Sequence, residues 1–203
     1  MNRFLLIVVL FIACSYPPKI QSDEKIILKD KPYKENKWEK LSLREKIAQM
    51  IMVRIRGDYY HSEHWYRKSL NKWLKEDGIG GVITFGGSIH GTFYNINQFQ
   101  DWAKIPLLVA ADYERGLGQW LRGATLFPSN MALAATNDQS LAYKQGQITA
   151  IESKSIGVHI TFSPVMDVNN NPKNPIINFR SYSDNAKIVG QYATSFINGV
   201  QDN

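Results

Sequence analysis

The chain has a single cysteine among its 203 residues, Cys14, so neither an internal disulfide nor a zinc site built on several thiolates is available to it. Its four histidines, His61, His64, His90 and His159, lack the paired spacing of metal sites, and no metal or cofactor is expected. A dinucleotide fingerprint is missing too. Gly78-Ile79-Gly80-Gly81 precedes its strand, whereas a dinucleotide turn follows one. A strong excess of either charge is lacking: 24 Lys+Arg stand against 18 Asp+Glu, a net of +6. The basic residues crowd between Lys19 and Lys75, interleaved with acids, which describes a solvated surface. A compact basic helix or an aromatic sheet motif is absent, so no nucleic-acid partner is expected. What is present is apolar material, 44% hydrophobic residues with 12% aromatics, enough for a packed core in one or two domains.

Arg3 is followed by an uncharged run from Phe4 to Ala13 that is too short to span a bilayer as a stable helix. Cys14 ends it, between Ala13 and Ser15. The segment resembles a bacterial lipoprotein signal, in which the cysteine becomes the lipidated first residue of the mature chain. The leucine usual three positions before the cysteine is replaced by Phe11, with Leu10 one place further off. Ordinary cleavage nearby stays open, as Ala13 and Ser15 are both small. Either route exports the protein to the cell envelope, membrane-anchored through Cys14 or periplasmic. Residues 15–40 are polar and lysine-rich with Pro17, Pro18 and Pro32, and read as a tether. The division expected is signal 1–14, tether 15–40 and folded domain 41–203.

From Leu41 onward, helical and strand patterns alternate. Ser42 and Glu45 form a capping box at the start of a helix carrying Leu43, Ile47 and Met50 on one face. Met52 to Ile55 reads as a strand, Glu63 to Lys75 as a helix stopped at Asp77-Gly78, and Gly81 to Phe85 as a second strand. A helix around Ile96, Phe99 and Trp102 leads to Leu107-Leu108-Val109-Ala110-Ala111, whose unbroken apolarity predicts a strand buried on both faces. Gln139 to Ile156 is helical in pattern, Val158 to Phe162 a fourth strand, and Asp184 to Val200 a last helix. Such alternation predicts an α/β fold with a parallel sheet. Asp112, Asp167 and Arg180 come at or beyond strand C-terminal ends. Ligands bind at those ends in closed barrels and in open doubly wound sheets alike.

The residues Ala111-Asp112-Tyr113-Glu114-Arg115-Gly116, Leu126-Phe127-Pro128 and Met131 to Ala135 resemble glycoside hydrolase family 3, N-terminal domain. So do Phe162-Ser163-Pro164-Val165-Met166-Asp167-Val168-Asn169-Asn170-Asn171-Pro172 and Asn178-Phe179-Arg180-Ser181-Tyr182, in the expected order. Gly80 to Ile83 and the opening Leu43 to Met50 fit as well. The resemblance implies the N-terminal half of a (β/α)8 TIM-type barrel. It further implies a retaining, exo-acting β-N-acetylhexosaminidase acting on cell-wall or glycan fragments, with a carbohydrate substrate. A β-glucosidase or β-xylosidase of the same family is the alternative, and a non-catalytic sugar-binding remnant or inert lipoprotein is another.

By the same resemblance Asp112 and Arg180 contact the non-reducing-end sugar. The residue types agree: a carboxylate accepts two hydroxyl hydrogen bonds, and a guanidinium offers a fork of donors. Each also has a plainer reading, Asp112 as a turn cap and Arg180 as a buried ion-pair partner. Asp167, among the turn-forming Asn169, Asn170 and Asn171, is expected to be structural. His159 inside a strand pattern reads as a satisfied core histidine. Trp65, Trp73 and Trp102 read as packing, and Trp120 either as packing or as a stacking face for a sugar. In the hexosaminidase branch an arginine stands where this chain has Trp120, with Arg115 and Arg122 nearby. The Lys-His-Phe-Pro-Gly-His-Gly motif that leads into the acid/base loop, expected shortly after Gln201-Asp202-Asn203, and the later nucleophilic aspartate are not within these 203 residues. No catalytic residue is therefore assigned in this chain, and the 203 residues are expected to be inactive alone.

Overall fold

A computed structural model describes residues 37–203; the signal, Cys14 and most of the tether lie outside the described residues. The described residues open with a 3-10 turn over Lys37–Lys40, inside the stretch read as tether. Helix α1 (Leu43–Gln49) starts where the capping box places it: the Ser42 hydroxyl accepts from the Glu45 N–H, and the Glu45 carboxylate accepts from the Ser42 N–H at 2.8 Å. Then follow β1 (Met52–Gly57), α2 (Trp65–Lys72) extended by a π turn over Trp73–Asp77, β2 (Gly81–Gly87) and α3 (Ile89–Trp102). Strand β3 (Leu108–Ala111), α4 (Asn130–Ala134), α5 (Ser140–Ser155), β4 (Ile160–Thr161) and α6 (Ala186–Gln201) complete the order. Gly78 closes the second helix with φ 71°, a left-handed conformation that glycine adopts without strain.

The four strands are all parallel and lie side by side in chain order, β1-β2-β3-β4. This is the sequence of neighbouring staves in a βα barrel, so each crossover returns the chain one strand further along. Alternation splits the sheet into two faces. On one, Ile55, Val82, Val109 and Ala111 are sealed under Leu70, Leu74, Ile96 and Phe99 from the outer helices. The other face carries Ile83, Phe85, Ala110 and, just past the strand end, Asp112. A second core lies between α5 and α6, around Ala142, Tyr192, Ala193 and Phe196. The two helices approach backbone to backbone there. A Cβ on Gly146 would stand 2.2 Å from the Phe196 carbonyl oxygen, and one on Gly199 would stand 2.1 Å from that of Tyr143.

Several side chains depart from the sequence reading. Leu43, Ile47 and Met50 do share a face of α1, but it is exposed, because no described element packs over it. Trp65 is exposed as well, while Trp73 and Trp102 pack against the core as expected. The fourth strand is shorter than Val158 to Phe162, and His159 is exposed instead of buried. Its partners are nevertheless backbone groups of β3: His159 donates its N–H to the Val109 carbonyl (2.8 Å) and accepts the Val109 N–H at Nδ1 (3.0 Å). The imidazole thus takes a bond that a longer strand would have made through its main chain. Along β1, two backbone groups are satisfied by aromatic hydroxyls. Tyr60 accepts from the Arg56 N–H at 3.0 Å, and Tyr66 donates to the Arg54 carbonyl. A strand treated so offers less to another chain than a bare edge would.

Candidate functional site

The β3 run ends because the chain after Ala111 must turn over the end of the sheet. Tyr113 and Leu117 are fully buried and pin that turn. Gly116, at φ 76°, lets the segment fold back on Thr125 to Phe127, where Gly118 donates to the Thr125 carbonyl (2.8 Å) and Phe127 to the Arg115 carbonyl (2.9 Å). This brings the 112–120 stretch to the C-terminal ends of the strands.

Asp112 stands there half-buried. Its backbone carbonyl accepts the indole N–H of Trp120 at 2.8 Å, but among the described residues its carboxylate has no hydrogen-bond partner, leaving both oxygens available. Burial raises its pKa above the ordinary aspartate value, and the negative charge of Glu114 adds to the rise; Arg180 opposes both.

Glu114, two residues on, is 6% exposed. It is clamped by Arg180, which reaches it from the 3-10 turn Asn178–Arg180 far along the chain. The Arg180 Nε–H is shared between Oε1 (3.2 Å) and Oε2 (2.9 Å), and Nη2 also donates to Oε1. Nη1 donates to the Ile176 carbonyl at 3.2 Å. Main-chain anchors hold both residues: buried Asn130 donates to the Arg180 carbonyl (2.7 Å), and buried Gln145 of α5 to the Glu114 carbonyl (3.0 Å). A guanidinium has five N–H groups. Three are engaged here, which leaves one on each terminal nitrogen.

Trp120 meets Phe85 edge to face, with centroids 5.3 Å apart at 84°, and Arg54 lies over the same Phe85 ring at 5.2 Å. With 38% of its surface exposed, Trp120 is both a packing residue and an accessible one. Asp167 has an exposed side chain, and its bond in this region is made by its main chain, whose carbonyl accepts from the Ser181 hydroxyl at 2.6 Å. A cavity of about 540 Å³, lined by Met131, Ala134, Asn169, Tyr182, Asp184 and Tyr192 among others, includes none of Asp112, Glu114 and Arg180. Among the described residues no group of three His, Cys, Asp or Glu side chains is placed to hold a metal ion.

Two of the residues singled out in the sequence, Asp112 and Arg180, are therefore brought together, with Trp120 beside Asp112. What sequence reasoning missed is the role of Glu114 as the partner of Arg180. The available signal was a carboxylate flanked by Tyr113 and the buried turn, which requires a cation, together with an arginine already read as a possible ion-pair partner.

Parallel strands in consecutive order, with helices on the outer face and polar groups gathered at the strand C-terminal ends, define a barrel-type α/β domain. Residues 42–203 match the glycosyl hydrolase family 3 N-terminal domain, and the chain belongs to this family. It is 30% identical over 157 residues to a β-N-acetylglucosaminidase/β-glucosidase of Cellulomonas fimi, covering 77% of this chain and 27% of that protein. It is 35% identical over 138 residues to β-hexosaminidase A of Pseudoalteromonas piscicida, covering 59% and 22% respectively. A solved structure of a family 3 β-N-acetylglucosaminidase from a Paenibacillus species superposes with a TM-score of 0.70 at 32% identity, over 80% of this chain and 31% of that one. The chain thus spans only about a quarter of the length of the first two relatives.

Proposed function

We propose that this protein serves the hydrolysis of β-glycosidic bonds, as an exo-acting retaining β-N-acetylhexosaminidase on cell-wall or glycan fragments, with this chain holding the non-reducing-end sugar. The observation that carries the reading is the Asp112 carboxylate, open on both oxygens, in the same cluster as the two unengaged N–H groups of Arg180. Acceptors and donors of that kind suit vicinal sugar hydroxyls, each of which can donate and accept.

Retaining hydrolysis needs a nucleophile and an acid/base. Neither role is given to a carboxylate of this cluster: Asp112 is assigned to the sugar hydroxyls, Glu114 is locked in its ion pair with Arg180, and the exposed Asp167 is tied to this region only through its main chain. The purified 203-residue chain is expected to bind N-acetylglucosamine saturably, with NMR shifts at Asp112 and Arg180, and to give no turnover of aryl β-N-acetylglucosaminides. Turnover above background by a sequence-verified preparation would return the chemistry to these carboxylates. A β-glucosidase reading is favoured by one observation: Trp120 occupies the position where the hexosaminidase branch has an arginine. Comparing the affinities of methyl β-N-acetylglucosaminide and methyl β-glucoside decides between the two.

The export reading rests on the sequence of residues 1–14. We propose lipidation at Cys14 and anchorage to a membrane of the cell envelope. Cys14→Ala should move the protein from the membrane fraction to the soluble fraction; identical partitioning of parent and variant into the soluble fraction would leave simple export.

A further inference from the structure

We infer that Glu114 is a positioning residue for sugar recognition: it fixes the Arg180 guanidinium so that the two remaining N–H groups and the Asp112 carboxylate act on one sugar ring. The inference rests on the sugar-binding reading above and adds to it a residue that touches no sugar.

Three observations carry it. First, Glu114 uses both oxygens on Arg180. Bonds to Nε and Nη2 define the plane of the guanidinium, whereas a single contact would let it swivel. Second, the pair is held from behind. Asn130 fixes the Arg180 carbonyl, Gln145 fixes the Glu114 carbonyl, and Ile176 takes one Nη1 hydrogen, so neither end of the pair is free to drift. Third, the turn that presents Arg180 begins at Asn178 with φ 37°, a left-handed conformation uncommon outside glycine that asparagine tolerates better than most residues. Backbone strain of this kind persists where surrounding contacts over-determine it. Arg180 is thereby held by contacts along its whole length, from main chain to guanidinium, without spending its two outward donors.

A purely structural ion pair would resist unfolding and leave sugar affinity in the folded protein unchanged. The two roles separate by a double-mutant cycle on the full chain, with methyl β-N-acetylglucosaminide as the probe and affinity read by NMR titration. Glu114→Gln keeps the shape but offers one acceptor oxygen and places an NH2 group against the guanidinium. It should weaken binding by about ten-fold, the scale of losing a charge-assisted bond to the ligand. In an Arg180→Ala background the same change should have no further effect on affinity, because Glu114 acts only through Arg180. The Arg180 Nε–H resonance, assigned by its loss in Arg180→Lys, should exchange with water faster in Glu114→Gln than in the parent.

An unchanged affinity in Glu114→Gln, or an equal loss with and without Arg180, would overturn the inference while leaving the sugar site in place. A parent chain that binds no sugar would overturn the sugar reading itself, and the positioning role with it. If Arg180→Ala fails to fold, the affinity and the Nε–H exchange rate of Glu114→Gln still decide the matter.

Discussion

Asp112→Asn is expected to weaken binding of N-acetylglucosamine by about ten-fold to a hundred-fold, the loss of one or two hydrogen bonds between a charged acceptor and sugar hydroxyls. The same substitution should leave thermal stability at neutral pH unchanged or slightly improved. The sign follows from the raised pKa. A carboxyl that ionises less readily in the folded state gives its full stabilisation below the ordinary aspartate range, and that contribution is lost as pH rises through the elevated value. At pH 7 the parent therefore carries an unfavourable half-buried charge beside Glu114, and asparagine removes it. Titration of sugar affinity against pH adds a second check: binding by the parent should fall as the solution is acidified through the Asp112 pKa, and Asp112→Asn should lack that step. A drop in melting temperature with unaltered sugar affinity would instead make Asp112 a turn residue, because asparagine would then be failing at a structural task.

Arg180→Ala should be the more damaging change to the fold. Removing one partner from a buried ion pair leaves the other charge without compensation, at a cost of about 3–5 kcal/mol when both are fully buried. Glu114 is buried, but the Arg180 side chain is 35% exposed. Water screens part of the interaction, which sets the expected loss at about 2–3 kcal/mol. Urea denaturation measures it. Adding Glu114→Gln to Arg180→Ala should restore part of that stability, since the stranded charge is then gone. If the double variant is no more stable than Arg180→Ala alone, the cost lies in the lost packing of the arginine stem rather than in the uncompensated carboxylate.

These two residues also mark the boundary between what was legible in the sequence and what was not. The α1 cap was readable because Ser42 and Glu45 are three residues apart and satisfy each other's backbone locally. Strand β3 was readable from five apolar residues in succession, and Val109 to Ala111 are buried as that run predicts, although Leu108 at its start is exposed; Asp112 was readable as the polar residue that ends them. Local periodicity placed Leu43, Ile47 and Met50 on one face but misjudged Trp65 as packing, because an apolar stripe states which face seeks cover, while cover depends on what packs against it. His159 was misjudged for a related reason. Strand pattern implied an interior position, but β4 has a described neighbour on one side only, so its side chains gain solvent.

The sequence by itself determined the alternation of helices and strands, the parallel α/β class and the family, because each rests on short-range spacing or on motifs in fixed order. It also supplied Asp112 and Arg180 as separate candidates. Only the tertiary structure decided that Arg180 closes on Glu114, that the Asp112 carboxylate stays open beside them, and that Trp120 and Phe85 meet edge to face. Those outcomes depend on segments as much as 66 residues apart meeting at the C-terminal rim of a parallel sheet, and no local pattern encodes a contact across that separation.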